Sequence, residues 1–150
     1  MIWYFAYGSN MDEERMRKRV GTWSARVPGV LAGWRLAFNK QADNKPGEGY
    51  ANIVPSSDRT VEGVLYAVDE EALVVLDRYE GVPWHYRRER LAVERKDTGE
   101  TVEAVVYVAC PERVREGLRP SREYLHHLLA GRDCLSAEYM QCLERVETVD

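Results

Sequence analysis

The sequence predicts an α+β fold: a small, mixed, barrel-like β-sheet with helices flanking it. Three observations predict it. Many short apolar or alternating segments are separated by glycine- and proline-containing turns, as in a sheet of several strands. A few segments open on helix-capping residues (Asn10, Asp69, Ser121, Ser136) and continue as helices. No repeat, low-complexity tract or linker divides the 150 residues, so residues 1–150 read as one domain.

Taken in order, Met1 to Tyr7 is apolar and aromatic on both faces, which suits a strand covered on both sides. Gly8-Ser9-Asn10 breaks it, and a helix follows from Met11 to about Arg19, with Asn10 as its cap and Glu13 at the capping-box spacing. Acidic residues Asp12 to Glu14 lead that helix and Arg15, Arg17, Lys18 and Arg19 end it, the charge order its dipole favours. Two extended stretches run from Trp23 to Lys40 around Pro28-Gly29 and Gly33, followed by a polar loop at 41–49. Tyr50 to Val54 and Val61 to Val68 read as strands parted by the turn residues Pro55-Ser56-Ser57-Asp58. Asp69 begins a short helix to about Tyr79. Tyr86 to Arg95 and Thr101 to Ala109 form a hairpin around Asp97-Thr98-Gly99. A charged connector, Pro111 to Pro120, leads to helices capped by Ser121 and Ser136.

Composition excludes several classes. Lys plus Arg number 21 and Asp plus Glu 25, a net charge of −4, which argues against a nucleic-acid binder. A hydrophobic fraction of 45% with 31% charged residues fits a globular chain. Apolar runs such as Ala104 to Cys110 are too short to span a bilayer, and Met1-Ile2-Trp3-Tyr4 has no basic leader, so no membrane partner and a cytoplasmic location are expected. Cys110, Cys134 and Cys142 lack paired spacing and read as reduced, buried small hydrophobes. Nothing chooses between a monomer and a homodimer.

Glu80 is the most informative residue. It lies seven residues after Leu73 and so continues the inward stripe of Leu73 and Leu76, just before Gly81. Burial and the negative end of a helix dipole both raise the pKa of such a carboxylate, as general acid/base chemistry requires. The bland alternative is an ion pair with Arg78, Arg87 or Arg88. Tyr7-Gly8-Ser9-Asn10 offers free N–H groups at a helix start, an anion site for a substrate carboxylate, or simply a strand-to-helix turn. Ser9 lacks the surroundings of a nucleophile elbow.

Together these segments resemble the gamma-glutamylcyclotransferase family. Tyr4-Phe5-Ala6-Tyr7-Gly8-Ser9-Asn10-Met11 resembles its N-terminal signature, and Val61-Glu62-Gly63-Val64-Leu65-Tyr66 with Leu76-Asp77-Arg78-Tyr79-Glu80-Gly81-Val82 resembles its second. Agreement continues through Trp34-Arg35-Leu36, Tyr50-Ala51-Asn52-Ile53, Ala104-Val105-Val106-Tyr107, Pro120 to Leu125 and Leu135 to Tyr139. The resemblance implies a small sheet curled into a barrel with a central cavity. It implies cyclisation of a small-molecule gamma-glutamyl substrate to 5-oxoproline with release of an amine or amino acid. It implies Glu80 as acid/base, Tyr7, Gly8, Ser9 and Asn10 as the loop gripping the glutamyl part, and, more loosely, Tyr86 and Tyr124 as cavity tyrosines. Closing a five-membered ring draws its rate from proximity and needs no metal or cofactor. The bulky segment Val82-Pro83-Trp84-His85-Tyr86 departs from the pattern and would shape the leaving-group pocket.

Three rivals remain. A cysteine nucleophile with His126 or His127 has no activating surroundings, and a metal site from His85, His126 and His127 has no ligand spacing. One of His126 and His127 is expected to face inward and the other outward. A non-catalytic binding module would keep the cavity but leave an inward carboxylate without a task. Of the aromatic run, Trp3, Tyr4 and Phe5 read as core and Tyr7 as a cavity residue.

Overall fold

The computed structural model describes residues 1–150. Five strands close into a barrel: β1 (Ile2–Ala6), β2 (Ala25–Gln41), β3 (Gly49–Val68), β4 (Tyr86–Arg95) and β5 (Thr101–Ala109). The order around the barrel is β1-β3-β2-β4-β5. Every neighbouring pair is antiparallel except β1 with β5, which runs parallel and closes the ring at Trp3 opposite Ala104 and Tyr4 opposite Val105. Four helices lie outside: α1 (Glu13–Val20), α2 (Glu70–Glu80), α3 (Arg122–Leu129) and α4 (Ala137–Glu144).

Strand alternation produces two cores. Phe5, Leu31, Val61, Leu65, Val93 and Val106 belong to a cluster supplied by all five strands, which fills the barrel. Tyr4, Ala6, Val64, Tyr66 and Tyr107 point the other way and join Met16, Leu73, Leu76 and Leu128 of the helices. β1 is thus covered on both faces: Tyr4, Phe5 and Ala6 are all buried.

Two sequence expectations are corrected. The segments 23–40 and 50–68 are not four short strands but two long ones, of 17 and 20 residues, joined as one hairpin. The turn chemistry at residues 55–58 operates, but inside a strand. Pairing runs from Ala32 opposite Thr60 directly to Trp34 opposite Pro55, so residues 56–59 form an excursion opposite Gly33, and the same two strands resume pairing beyond it. The bulge bends the hairpin, and tertiary pairing overrides the local break. The first helix begins at Glu13 rather than Met11, and its cap is Asp12, which accepts from the N–H groups of Glu14 and Arg15. Asn10 cannot cap it, because its side chain is engaged elsewhere in a preceding 3₁₀ turn (Ser9–Met11).

α2, the 86–109 hairpin and the two serine-capped helices fall within a residue or two of expectation. Cys110 and Cys134 are buried, whereas Cys142 is exposed on α4 and not a core residue. No helix is long and apolar enough to cross a membrane.

Candidate functional site

One end of the barrel opens into a cavity of about 440 Å³, whose wall includes Tyr7, Gly8, Ser9, Asn10, Glu80, Tyr86 and Tyr124. A volume of this size suits a small metabolite. All seven sequence-predicted site residues therefore meet in one place, brought from the loop after β1 and from α2, β4 and α3.

Glu80 is the last residue of α2. Leu73 and Leu76 anchor the same face in the core, and Gly81 ends the helix in the left-handed conformation at φ 65°. The Glu80 side chain makes no salt bridge: of its three candidate partners, Arg78 is exposed and not within pairing distance of it, and the other two are taken. Arg88 forms a two-pronged pair with Asp77, both contacts at 2.8 Å, and Arg87 pairs with Glu89 at 2.9 Å. Burial raises the Glu80 pKa from 4.5 to about 7, although Arg19, Lys40 and Arg15 pull it down.

The 7–10 loop is fixed from behind. Asn10 is 2% exposed. Its amide donates to the Tyr4 hydroxyl at 2.9 Å, its Oδ1 accepts from Arg19 at 3.0 Å, and its carbonyl accepts from the Tyr66 hydroxyl at 2.8 Å. The N–H groups of Met11 and Asp12 close onto the carbonyls of Gly8 and Ser9, while those of Gly8, Ser9 and Asn10 are used in no such turn bond. A side chain at Gly8 would place its Cβ 3.2 Å from the Tyr124 hydroxyl and 3.3 Å from the Ala51 Cβ, so glycine lets the loop lie against β3.

Three tyrosines brace the cavity wall. Tyr124 accepts from the Ala51 N–H at 3.0 Å and keeps its own proton to give, Tyr86 donates to the Ala51 carbonyl at 2.8 Å, and Tyr7 donates to the Tyr107 carbonyl. Burial, with the Glu80 charge adding to it, pushes all three phenols well above their ordinary value, so they stay protonated.

Sequence reasoning missed the cations. Arg15, Arg19 and Lys40 line the cavity. The basic run on α1 divides by face: Arg17 and Lys18 point outward to Glu13 and Glu14, whereas Arg15 and Arg19, four apart, turn inward. Arg15 Nη1 donates to His127 Nε2 at 2.9 Å, and His127 Nδ1 donates to Asp12 at 2.8 Å. His126 is exposed, so the two histidines do face opposite ways. Lys40 lies just past a register shift in β2 between Ala37 and Lys40 and is only 4% exposed. The i, i+4 spacing of the arginines puts them on one face of α1, whereas the shift in β2 breaks the alternation that would have pointed to Lys40. Tyr4, expected as core, has its ring in the core and also lines the cavity. Of the bulky segment, His85 lines the cavity and Trp84 stands 72% exposed on the surface.

The rival chemistries find no support in this arrangement. None of the three cysteines lines the cavity; Cys110 donates to the Pro83 carbonyl, and burial pushes the Cys134 thiol up. The histidines do not converge with acidic or thiol groups into a metal-binding cluster.

A closed five-stranded barrel with a tyrosine-rich, cation-lined cavity and a carboxylate inside it defines a class of protein. The chain belongs to the family described as Gamma-glutamyl cyclotransferase, AIG2-like, whose profile matches residues 4–126. Its fold is similar to a solved gamma-glutamyl cyclotransferase at 27% identity and TM-score 0.87, covering 99% of this chain and 89% of that one. The Homo sapiens protein called uncharacterized protein loc79017 is similar at 28% identity and TM-score 0.87, with the same coverage. YkqA from Bacillus subtilis is similar at 27% identity and TM-score 0.83, over 96% of this chain but only 53% of its own length. Comparison with curated protein sequences finds no match.

Proposed function

We propose that residues 1–150 act as one catalytic domain that cyclises a γ-glutamyl compound, with Glu80 as the acid/base residue. The reaction releases 5-oxoproline and the free amine or amino acid. The observation that carries this reading is the Glu80 carboxyl: unpaired, inside the cavity, and with its pKa raised to about 7. Family membership supports a γ-glutamyl substrate.

The α-ammonium of the substrate has no lone pair and cannot attack. Ionised Glu80 takes one of its protons, and the freed amine adds to the γ-carbonyl carbon, closing a five-membered ring. As the tetrahedral centre collapses, Glu80 returns the proton to the leaving nitrogen while its bond breaks, and the second proton shed by the ring nitrogen departs with the released amine as its ammonium. A pKa near the working pH serves both transfers. Ring closure is intramolecular, and held geometry supplies on the order of 7–11 kcal/mol of such a barrier. The N–H groups of Gly8, Ser9 and Asn10 and the spare proton of Tyr124 are donors for the substrate's carboxylate or its developing oxyanion.

Glu80→Gln keeps the shape and removes the base. It is expected to lower 5-oxoproline release by roughly 10²–10⁴-fold while the fold persists. Full activity of this variant would overturn the assignment of Glu80.

A further inference from the structure

Besides the exposed Arg78, three cations line the cavity, and none of the three has an acidic partner within salt-bridge distance. Two belong to α1: Arg15, held by His127, and Arg19, held by Asn10. The third is Lys40 on β2, whose ammonium reaches His85 Nδ1 at 2.8 Å and lies 5.6 and 5.7 Å from the rings of Tyr50 and Tyr86. An ammonium only donates, so His85 accepts at Nδ1 and carries its proton on Nε2, facing Asp43 at 3.6 Å. Lys40 is therefore a buried charge supported by a neutral ring and two aromatic faces.

The charged groups around these residues sort them into two poles. Arg19 feels Arg15 and Glu80, whereas Lys40 feels Asp43, Arg113 and Glu80. The chain neighbours of Glu80 touch one group each: Arg19 lies over the Tyr79 ring at 4.4 Å, and Gly81 packs against the His85 side chain that holds Lys40, so Glu80 stands between an arginine pole and a lysine pole. Asp43 does not neutralise Lys40: it sits on the far side of His85, 63% exposed, and also faces Arg113 at 3.9 Å.

We propose that Lys40, oriented by His85, is a specificity-determining residue that binds a carboxylate on the leaving group, so the departing part is an amino acid rather than a simple amine. This rests on the γ-glutamyl reading above. The arginine pole is continuous in the chain with the 7–10 loop, which takes the glutamyl part. The lysine pole lies across Glu80 from it, where the leaving group extends. A γ-glutamyl amino acid carries one carboxylate for each pole. A γ-glutamyl amine would leave the buried Lys40 ammonium with only the more distant charges of Asp43 and Glu80 and no carboxylate in contact, a costlier state.

γ-Glutamylalanine and γ-glutamylethylamine differ by that carboxylate alone. The wild-type protein is expected to favour the first in kcat/KM by roughly tenfold or more, as a charge-assisted hydrogen bond allows. Lys40→Met should bring the ratio close to one, chiefly through KM, and Lys40→Arg should restore part of it; Lys40→Gln substitutes for the methionine variant if that one fails to fold. Calorimetric binding to Glu80→Gln, with and without Lys40→Met, reads the same preference without turnover. If no 5-oxoproline is released from either compound but the binding preference is present and Lys40-dependent, the catalytic reading fails and the Lys40 assignment stands. An unchanged ratio in Lys40→Met, an equal loss on both compounds, a wild-type preference for the ethylamine, or binding of neither compound overturns it.

Discussion

Asn10 shows how a single side chain can set a site without touching the chemistry. Both ends of its amide are occupied, by Tyr4 and Arg19, and its carbonyl by Tyr66. The loop that carries the free N–H groups is thereby pinned to the layer between barrel and helices. Asn10→Ala would leave the buried Tyr4 hydroxyl without its donor and release Arg19 from its fixed position. The expected cost is about 1–3 kcal/mol, read from urea denaturation, because an unpaired buried polar group loses its full desolvation energy. Arg15 is held by a comparable device. His127 is fixed in one tautomer by Asp12, whose carboxyl stays below its ordinary pKa: burial opposes this, and the bonds from His127 and from the backbone of Arg15 and Glu14 outweigh it. The same aspartate that caps α1 thus orients the guanidinium entering the cavity.

At the scale of elements, the barrel's narrowness is built on a glycine pair. Gly29 of β2 faces Gly63 of β3, and the Phe5 ring occupies the space both leave. A Cβ at Gly63 would lie 2.4 Å from the Ala6 carbonyl oxygen and 2.9 Å from Phe5, and the backbone cannot yield as a flexible side chain would. Gly63→Ala is expected to destabilise the protein by at least the ~1–3 kcal/mol typical of overpacking, seen as a lower denaturation midpoint with an unchanged slope. Elements with local signals were legible in the sequence: α2 with its Asp69 cap and Gly81 stop, the hairpin around Asp97-Thr98-Gly99, and the helices after Ser121 and Ser136. The long β2–β3 hairpin was not, because Gly33 and Pro55 to Asp58 carry turn chemistry that only pairing with the neighbouring strand overrides. The site was half legible. Glu80 and the 7–10 loop stood out by position, but the inward turn of Arg15, Arg19 and Lys40 depends on which face of α1 and β2 the barrel covers, a long-range fact.

For the whole molecule, the consequence of the buried carboxyl is a pH-dependent tension between folding and catalysis. In the folded chain Glu80 keeps its proton up to about pH 7, against an ordinary value of 4.5. Between these values the folded state binds more protons than the unfolded state, so its stability falls as pH rises. The protonated carboxyl's contribution is complete below pH 4.5 and is lost as pH climbs through 7, a full swing on the order of 3 kcal/mol. Glu80→Gln carries no such charge. Its stability relative to wild type, from urea titrations, should be close to zero near pH 4.5 and rise to roughly 3 kcal/mol in its favour at pH 8. A difference that stays flat across that range would mean the carboxyl is hydrated and titrates as in free solution. Ionisation through the same interval is what arms the base. Wild-type kcat/KM should therefore show an acidic limb centred near pH 7, absent from the residual activity of Glu80→Gln. The pH step that lets the site accept a proton is then the step at which the barrel begins to carry an unpaired negative charge, tolerable because Arg15, Arg19 and Lys40 surround it.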